Sequence, residues 1–207
     1  MNIKYIEKKL KKTIRTNTIS VGIDVAEHYT GVCILKTDDK EIIIEHREVI
    51  ETSAKEDHFT RADHYVSALE KFKQTLNKYK GYKILVIERC YFGMNVETLI
   101  HLAHFGILTY ITLKKNFDTY YYFGATTARS IIGFNQKRQE ETGTLKAEVY
   151  TRDTKNAEGE ILHKKGDKKK LQCKDLVHNY LETDFKVSIK NKDEADGFVL
   201  ALAGLLK

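Results

Sequence analysis

Hydrophobic residues recur along this chain with two periods, one typical of helices and the other typical of buried strands. Helical spacing predicts helices at 3–15, 60–80, 95–113, 125–132, 168–182 and 193–206. Short apolar and β-branched runs predict strands at 18–25, 30–35, 41–50, 83–87 and 119–123. Short polar turns join the first three strands, which should form an antiparallel meander, whereas the later strands alternate with helices and should run parallel. We therefore expect an α/β fold, a five-stranded mixed sheet with three antiparallel and then two parallel strands and helices on both faces.

Two segments differ from this pattern. Residues 1–16 predict a basic amphipathic helix, which could dock on the body of the protein, contact DNA or lie on a membrane surface. Residues 134–167 are polar and rich in lysine and glutamate, and we interpret them as an insertion that projects as a β-hairpin with strands at 145–151 and 160–163. The remaining length suits one domain, so residues 17–207 are expected to form a single unit that contains this insertion.

Charge is distributed unevenly along the chain. The formal net charge is +6, yet residues 1–15 alone contain six basic residues and one acidic residue. The insertion adds a further excess of basic residues, so the rest of the chain is slightly acidic. An acidic body with basic additions is typical of a nucleic-acid enzyme with an acidic metal site, and equally of a protein that uses lysine for solubility.

Cysteine usage and hydropathy bear on the compartment. Cys33, Cys90 and Cys173 are odd in number and widely spaced, which excludes a disulfide scaffold and a zinc-binding pattern. We therefore expect a reducing, cytoplasmic environment. No uninterrupted apolar run approaches the roughly 20 residues of a spanning helix, and the first residues lack the apolar core of a secretory signal. Neither a membrane partner nor a small-molecule substrate is expected.

Four acidic residues occur where predicted strands end or the last helix begins. Asp24 ends an otherwise apolar strand, and Glu88 follows the strand at 83–87. Asp193 and Asp196 share one face of the last helix. The strands that carry Asp24 and Glu88 should be neighbours, so we expect both carboxylates at the same end of the sheet, with the helix laid over that end. Each acid taken alone could also be an ordinary strand-end residue or a helix residue favoured by the macrodipole.

A cluster of four carboxylates favours the binding of divalent cations. Carboxylates within a few ångströms of one another repel, and some of them would be protonated without a cation. Mg²⁺ prefers such hard oxygen ligands, and Mn²⁺ is expected to substitute for it. Two such ions can activate a water and stabilise the leaving oxygen in phosphodiester hydrolysis.

Three motifs around these acids resemble those of RuvC-type Holliday junction resolvases, a family of the RNase H-like (retroviral integrase) superfamily. The first is Gly22-Ile23-Asp24, followed by Thr30-Gly31. The second is the segment from Ile87 to Asn95, which is similar to a Glu-x-x-Phe-x-x-x-Asn stretch at the start of the family's long helix. The third is Asp193-Glu194-Ala195-Asp196 on the closing helix. Together the three are specific, whereas each one alone is weak.

A fourth motif matches less well. The segment from Arg129 to Gly133, followed by Lys168-Lys169-Lys170, is similar to a Val-Val-Gly run that leads to a helix with a lysine at its start. The chain departs from the family pattern where Val25-Ala26 replaces Pro-Gly, and at Ala128, where the family has a basic residue. The family also lacks the N-terminal basic helix and most of the insertion. The resemblance covers residues 18–133 and 166–206.

The resemblance implies an Mg²⁺-dependent, structure-selective endonuclease that resolves four-way DNA junctions by paired symmetric nicks as a homodimer. Asp24, Glu88, Asp193 and Asp196 would be its catalytic metal ligands, with Asp24 bridging two ions. Lys170 corresponds to a lysine that would stabilise charge on the scissile phosphate. Branched DNA and a second copy of the chain are the expected partners, in the cytoplasm of a bacterial or phage-infected cell.

Further DNA contacts follow from the same resemblance. The family has an aromatic wedge at the position of Tyr91, which would stack on a base near the crossover, although both this ring and its neighbour could equally be core aromatics. The other expected DNA contacts are Phe92, Asn95, Arg129, Lys168 and Lys169. We expect the helix at 95–113 to form the dimer face, because it has apolar residues on more than one side.

Other protein classes share part of this pattern. A transposase or recombinase with a RuvC-like Asp-Glu-Asp-Asp domain begins with a similar Gly-Ile-Asp-Val-Ala segment, but usually continues into a second domain with a nucleophilic serine. An actin-like sugar kinase also begins Gly-Ile-Asp, yet its fold needs about twice this length. A non-catalytic module that binds junction DNA would gain nothing from four negative charges facing phosphate. We therefore favour the nuclease.

Overall fold

The central sheet has the predicted topology. The computed structural model describes residues 1–90, 95–142, 154–155, 161–164 and 171–207, with the backbone alone at 142, 154–155 and 161–163. The strands of the main sheet are β1 (Thr18–Asp24), β2 (Tyr29–Thr37), β3 (Ile42–Glu51), β4 (Tyr82–Glu88) and β5 (Thr119–Phe123). Their order is β3-β2-β1-β4-β5. The pairs β1–β2 and β2–β3 are antiparallel, whereas β1–β4 and β4–β5 are parallel, so the predicted mixed sheet is confirmed.

Helices cover both faces of this sheet. In chain order the described helices are α1 (Ile3–Leu10), α2 (His58–Leu76), α3 (Val96–Leu113), α4 (Ala125–Ile131), α5 (Gln136–Thr142), α6 (Cys173–Asp184) and α7 (Lys192–Leu205). α2 and α3 pack on one face through Tyr65, Leu69 and Phe105, whereas α1, α4, α6 and α7 pack on the other. Every residue of β1 is buried between these layers. A central strand covered by helices on both faces is buried along its whole length, and here Thr18 and Ser20 are buried together with the apolar residues.

The last helix lies close to the sheet because two glycines leave room for it. A Cβ atom on Gly22 would lie 2.1 Å from the carbonyl oxygen of Gly197, and one on Gly31 would lie 2.1 Å from the carbonyl oxygen of Asp193. No side chain fits at that distance, so these glycines of the Gly-Ile-Asp and Thr-Gly motifs serve the packing of α7. As a consequence, the first turn of α7 lies over the end of β1.

The N-terminal helix is shorter than predicted and is docked on the body. α1 ends at Leu10 and not at residue 15, because Lys11 adopts a left-handed backbone conformation (φ 52°) that stops the helix. Ile3, Ile6 and Ile14 are buried in the core, the last of them from the non-helical segment that follows. Of the three roles open to this segment, docking is the one that the packing shows.

Two other helices have different ends from those predicted. α2 begins two residues earlier, because the carboxylate of Asp57 accepts hydrogen bonds from the backbone N–H groups of Phe59 and Thr60. α6 begins at Cys173 rather than at residue 168, because Gln172 has an extended backbone (φ −76°, ψ 146°). Both differences reflect capping geometry, which hydrophobic spacing does not report.

The insertion contains a helix that was not predicted and a hairpin that was. α5 occupies residues for which only a polar loop was expected. Two short strands, β6 (Thr154–Lys155) and β7 (Ile161–His163), pair antiparallel. The strand that pairs with β7 is therefore β6 and not the segment 145–151, for which a strand was predicted. Residues 145–151 lie outside the described part of the chain.

α3 has one buried face and one exposed apolar face. Leu102, Phe105 and Leu113 are buried against the sheet. Together with the 3₁₀ turn that follows it, the helix spans Val96–Asn116 and is long and apolar enough to cross a membrane by length and composition alone, with 28% of that stretch buried. Uninterrupted apolar runs do not reveal this property, because histidines and Glu97 interrupt the sequence. In this fold the helix is part of the domain core.

Candidate active site

β1 and β4 bring two carboxylates to one end of the sheet. Asp24 is the last residue of β1 and is 5% exposed. Glu88 is the last residue of β4. Ile23 and Ile87, which precede the two acids, are register partners in the parallel ladder. Because parallel strands end at the same edge of a sheet, the two carboxylates lie side by side, as the sequence predicted.

The turn after β1 is closed by the threonine of the Thr-Gly motif. The hydroxyl of Thr30 accepts a hydrogen bond from the backbone N–H of Ala26 (3.2 Å) and donates one to the Ala26 carbonyl (3.1 Å). This pair of bonds closes the turn in a chain that has Val25-Ala26 instead of the family's Pro-Gly. The position of Asp24 is therefore held from both sides, by the sheet ladder and by the turn.

α7 brings two more carboxylates over this edge. The helix is capped by Asn191, whose side-chain oxygen accepts a hydrogen bond from the backbone N–H of Glu194 (2.8 Å). Asp193 and Asp196 are three residues apart and therefore share one side of the helix. Asp196 is buried, whereas Asp193 remains partly exposed. The four predicted acids thus come together from two strands and one helix.

A lysine that the sequence did not single out lies among these acids. The Nζ atom of Lys174, in the first turn of α6, is 3.1 Å from an oxygen of Asp193 and 3.2 Å from one of Asp196. It is 3.7 Å from an oxygen of Asp24. In the sequence this lysine ends a lysine-rich run, a pattern typical of a solvated surface. Its contacts depend on how α6 packs against α7, so periodicity carries no signal for them.

Burial and like charge shift the ionisation of the cluster. Burial raises the pKa of Asp24 well above its usual range, and a hydrogen bond with Glu88 and the negative charges of Glu88 and Asp196 raise it further. The charge of Lys174 opposes this rise. Burial by itself would lower the pKa of Lys174, but the nearby aspartates outweigh burial and raise it. The ammonium therefore stays charged and compensates the acids.

Arg129 of α4 adds a second cation to the cluster. Its Nη2 donates a hydrogen bond to a carboxylate oxygen of Asp196 (2.9 Å), and its Nη1 lies 3.3 Å from the Sγ of Cys173. Burial by itself would lower the pKa of the guanidinium, but the carboxylate of Asp196 raises it. The arginine follows directly after Ala128, which is buried, and it is the arginine that reaches the acids. Its predicted contact with DNA stays a prediction.

The acidic cluster opens into a cleft of about 430 Å³. Besides the acids and their two cations, Tyr29 and Arg89 line it, and both side chains are exposed. The ring of Tyr29 is 55% exposed and is of the kind on which a nucleic-acid base can stack. Such a contact was predicted from the sequence at Tyr91, whereas Tyr29 was overlooked. The clue to Tyr29 is its position as the first, outward-facing residue of β2.

The remaining predicted site residues stay predictions. Asn95 caps α3, where its side-chain oxygen accepts a hydrogen bond from the backbone N–H of Thr98 (2.8 Å). That bond explains the residue structurally and leaves its predicted contact with DNA untested. The other predicted residues lie outside the described part of the chain: Tyr91, Phe92, Lys168, Lys169 and Lys170.

The carboxylates around Lys174 are ligands of the kind that suits a divalent cation. Among the described residues, no three histidine, cysteine, aspartate or glutamate side chains are arranged to hold a metal ion as they stand. Three carboxylates are instead gathered around an ammonium group, and carboxylate oxygens are the ligands that Mg²⁺ prefers. The side chain of Lys174 is 42% exposed, so it can turn towards solvent and release the acids.

Solved structures share this fold. Thermus thermophilus RuvC in complex with a Holliday junction substrate matches with a TM-score of 0.57 at 13% sequence identity, over 89% of this chain and 91% of the other. A second structure of Thermus thermophilus RuvC matches with a TM-score of 0.55 at 14% identity, over 89% and 92%. The yeast mitochondrial Holliday junction resolvase matches with a TM-score of 0.48 at 13% identity, over 97% and 84%. At such identities the two matches to Thermus thermophilus RuvC establish the fold alone.

Fold and site together define an RNase H-like protein with an acidic cluster at the carboxyl ends of β1 and β4. The sequence matches the family described as crossover junction endodeoxyribonuclease RuvC over residues 20–151, more than half of the chain. The chain belongs to this RuvC family, as its motifs predicted. No protein of curated function matches its sequence.

Proposed function

We propose that this protein is a structure-selective endonuclease that resolves four-way DNA junctions by paired nicks. The observation that carries the proposal is the convergence of Asp24, Glu88, Asp193 and Asp196 at one open cleft. A protein that only binds DNA would lose affinity through these acids, because each carboxylate repels the phosphates. A hydrolase gains from the same acids, because they can hold the cations that its reaction needs.

The four carboxylates would hold Mg²⁺, with Mn²⁺ as a substitute. When bound, the metal activates a water as the nucleophile and stabilises the leaving oxygen. The chain supplies preorganised ligands: burial and the turn hold Asp24, and the parallel register holds Glu88 beside it. The charges of both Glu88 and Asp196 act on Asp24. If two ions bind, Asp24 would therefore be the carboxylate that helps to hold both.

Lys174 has a second role in this proposal, at the phosphate. Once its carboxylate partners hold a metal, its ammonium is free at the mouth of the cleft, where it can neutralise charge that develops on the scissile phosphate. Lys170, four residues earlier, was predicted for that role from the family resemblance and remains the alternative. Arg129 stays bound to Asp196 and orients that carboxylate.

The proposed homodimer would form through α3. Val96, Ile100, Ile107 and Ile111 lie on one side of the helix and are between 47% and 73% exposed. A continuous apolar stripe of this kind marks an interaction surface, because leaving it in water is unfavourable. A two-fold dimer would also present two clefts to a two-fold junction, as paired nicks require.

Cleavage of a panel of labelled DNA substrates tests the proposal. Four-way junctions, forks, flaps and linear duplex are incubated with the protein in Mg²⁺ and, separately, in EDTA. We expect nicks in two opposing strands of the four-way junction, complete dependence on Mg²⁺, and little cleavage of linear duplex. Binding of the junction without nicks in Mg²⁺ would identify a non-catalytic binding module, and equal cleavage of linear duplex would contradict structure selectivity.

A further inference from the structure

α1 adds a basic surface beside the domain body. Its apolar residues are used for docking, which leaves Lys8, Lys11 and Lys12 exposed. Lys12 donates a hydrogen bond to the carbonyl of Ile131 (3.0 Å). Within the described part of the chain, no carboxylate lies within 4.0 Å of any of these three ammonium groups. The α1 basic surface, as we call these three lysines, therefore carries three positive charges without a countercharge among the described residues.

A groove of about 560 Å³ lies beside this surface, between α1, α5 and α6. Lys12 lines it on the side of α1, Arg138 and Gln139 line it on the side of α5, and Thr183 lines it on the side of α6. The groove also contains Asp184, whose charge is compensated by its ion pair with Lys9, so the excess charge of its walls is positive and accompanied by amide and hydroxyl groups. Side chains of these types make the contacts with phosphate and sugar that position a protein on DNA without reading its sequence.

Two helices, α6 and α4, contribute residues both to the groove and to the catalytic cleft. Lys174, at the start of α6, contacts the acidic cluster, whereas Thr183, near the end of α6, lines the groove. The two residues are nine positions apart, which corresponds to about 14 Å along a helix. Along one strand of a DNA duplex the same distance spans about four base pairs. α4 also reaches both places, because its Arg129 lies in the cleft and its Ile131 lines the groove.

We propose that the α1 basic surface and this groove, which meet at Lys12, bind the phosphate backbone of one duplex arm of the junction. The inference rests on the proposed function, because a junction must first be held at the catalytic cleft. Lysines in the last turn of α1 and in the two residues after it, beside an open groove, match an extended polyanion better than a compact anion, which could contact few of them at once. Contacts at the Thr183 end of the groove would fall about four base pairs from a phosphate held at Lys174.

Apart from the hydrogen bond between Lys12 and the Ile131 carbonyl, the contacts that hold α1 in place do not involve the α1 basic surface. Lys9 forms an ion pair with Asp184, and its Nζ lies 5.9 Å from the ring centroid of Tyr180 and 5.8 Å from that of Phe185. Substitution of Lys8, Lys11 and Lys12 leaves this pair and the buried isoleucines of α1 intact. The charge of the surface can therefore be removed while the helix stays docked.

Salt-dependent binding of a four-way junction tests this inference. The full chain and its variant Lys8→Gln/Lys11→Gln/Lys12→Gln are titrated with labelled junction in EDTA, and affinity is followed by fluorescence anisotropy between about 50 and 200 mM salt. Each lost phosphate contact should lower the slope of log K against log salt by about 0.9, so we expect a decrease of up to about 2.7. Arg138→Gln, on the opposite wall of the groove, should lower the slope by up to about 0.9 independently.

A matched control removes the same charge from the other face of the sheet. Lys71, Lys78 and Lys80 are exposed on α2 and in the segment that follows it, and their triple replacement by Gln should leave the slope unchanged. Equal losses in both triple variants, or wild-type slopes in the α1 variant and in Arg138→Gln, would overturn the inference while the proposed function stands. Failure of the wild-type protein to bind the junction would overturn both.

Discussion

Lys174 occupies the place where the proposed reaction needs a divalent cation. Its ammonium contacts three carboxylates, two of them buried, in a cluster where burial and then the neighbouring acids raise the pKa of Asp24. A metal ion that binds these oxygens has to displace the ammonium, so lysine and metal compete for the same ligands. We infer that Lys174 stabilises the metal-free protein and weakens its apparent affinity for metal.

Replacement of Lys174 by Met separates these two effects. In EDTA the variant should lose about 1–2 kcal/mol of unfolding free energy, less than the loss typical of a fully buried pair, because the Lys174 side chain is 42% exposed. Added Mg²⁺ should raise the melting temperature of the variant more than that of the wild type, since no ammonium competes for the ligands. Urea unfolding in EDTA and thermal unfolding across a Mg²⁺ series measure both quantities.

Lys71→Met is the control for this prediction. That lysine is exposed on α2, on the other face of the sheet, and its replacement should change neither the unfolding free energy nor the response to Mg²⁺. Unchanged stability of the Lys174 variant in EDTA would show that the observed contacts contribute nothing to the metal-free state.

At the scale of elements, α7 and α3 have different tasks. α7 is buried along nearly its whole length and lies against β1 and β2 through two glycines, which fixes its acids over the cleft. α3 buries only one side and exposes an apolar stripe on the other. The burial of α7 serves the site within one chain. The exposed apolar stripe of α3 would instead be stabilised if a second copy of the chain covered it.

A charge placed in the middle of the α3 stripe should abolish the proposed dimer. Ile107 is 53% exposed, and Ile107→Glu would bury two unpaired carboxylates in a two-fold interface. We expect the dissociation constant of the dimer to rise by at least about 100-fold, or about 2.7 kcal/mol. Sedimentation velocity across a concentration series measures the change, and paired nicks should give way to single nicks.

Ile43→Glu serves as the control for this substitution. Ile43 is an exposed isoleucine of β3 and is paired with Lys36 on β2. The positive charge of Lys36 would therefore lie opposite the new carboxylate. That variant should sediment like the wild type. If Ile107→Glu also sediments like the wild type, α3 is not the dimer face.

At the scale of the whole molecule, topology was predictable because each strand carries its own signal. The β-branched residues Ile19, Val21 and Ile23 indicate the strand β1, and the polar turns after it indicate antiparallel neighbours. Once Asp24 and Glu88 are placed at the ends of adjacent parallel strands, their proximity follows from geometry. The convergence of Asp193 and Asp196 on the same edge was predictable from their spacing on the last helix.

Features that depend on contacts between distant elements were not predictable in this way. Lys174 belongs to a lysine-rich run and is distinguished only by the packing of α6 against α7. α5 has too few apolar residues to give a helical period. The early end of α1 depends on one left-handed residue, Lys11, in a sequence whose apolar spacing continues to Ile14. In each case local pattern and tertiary context differ, and context decides the structure.

The most direct test compares wild type with Asp24→Asn in single-turnover nicking of a four-way junction across a series of Mg²⁺ concentrations. The wild-type rate should rise with Mg²⁺ and saturate. Asp24→Asn should be slower by at least about 1,000-fold, or about 4 kcal/mol, with equal or tighter junction binding because one negative charge near the phosphates is gone. Asp63→Asn, an exposed change on α2, should keep the wild-type rate. Nicking in EDTA, or an Asp24→Asn rate equal to that of the wild type, would contradict a cation site built on β1, β4 and α7.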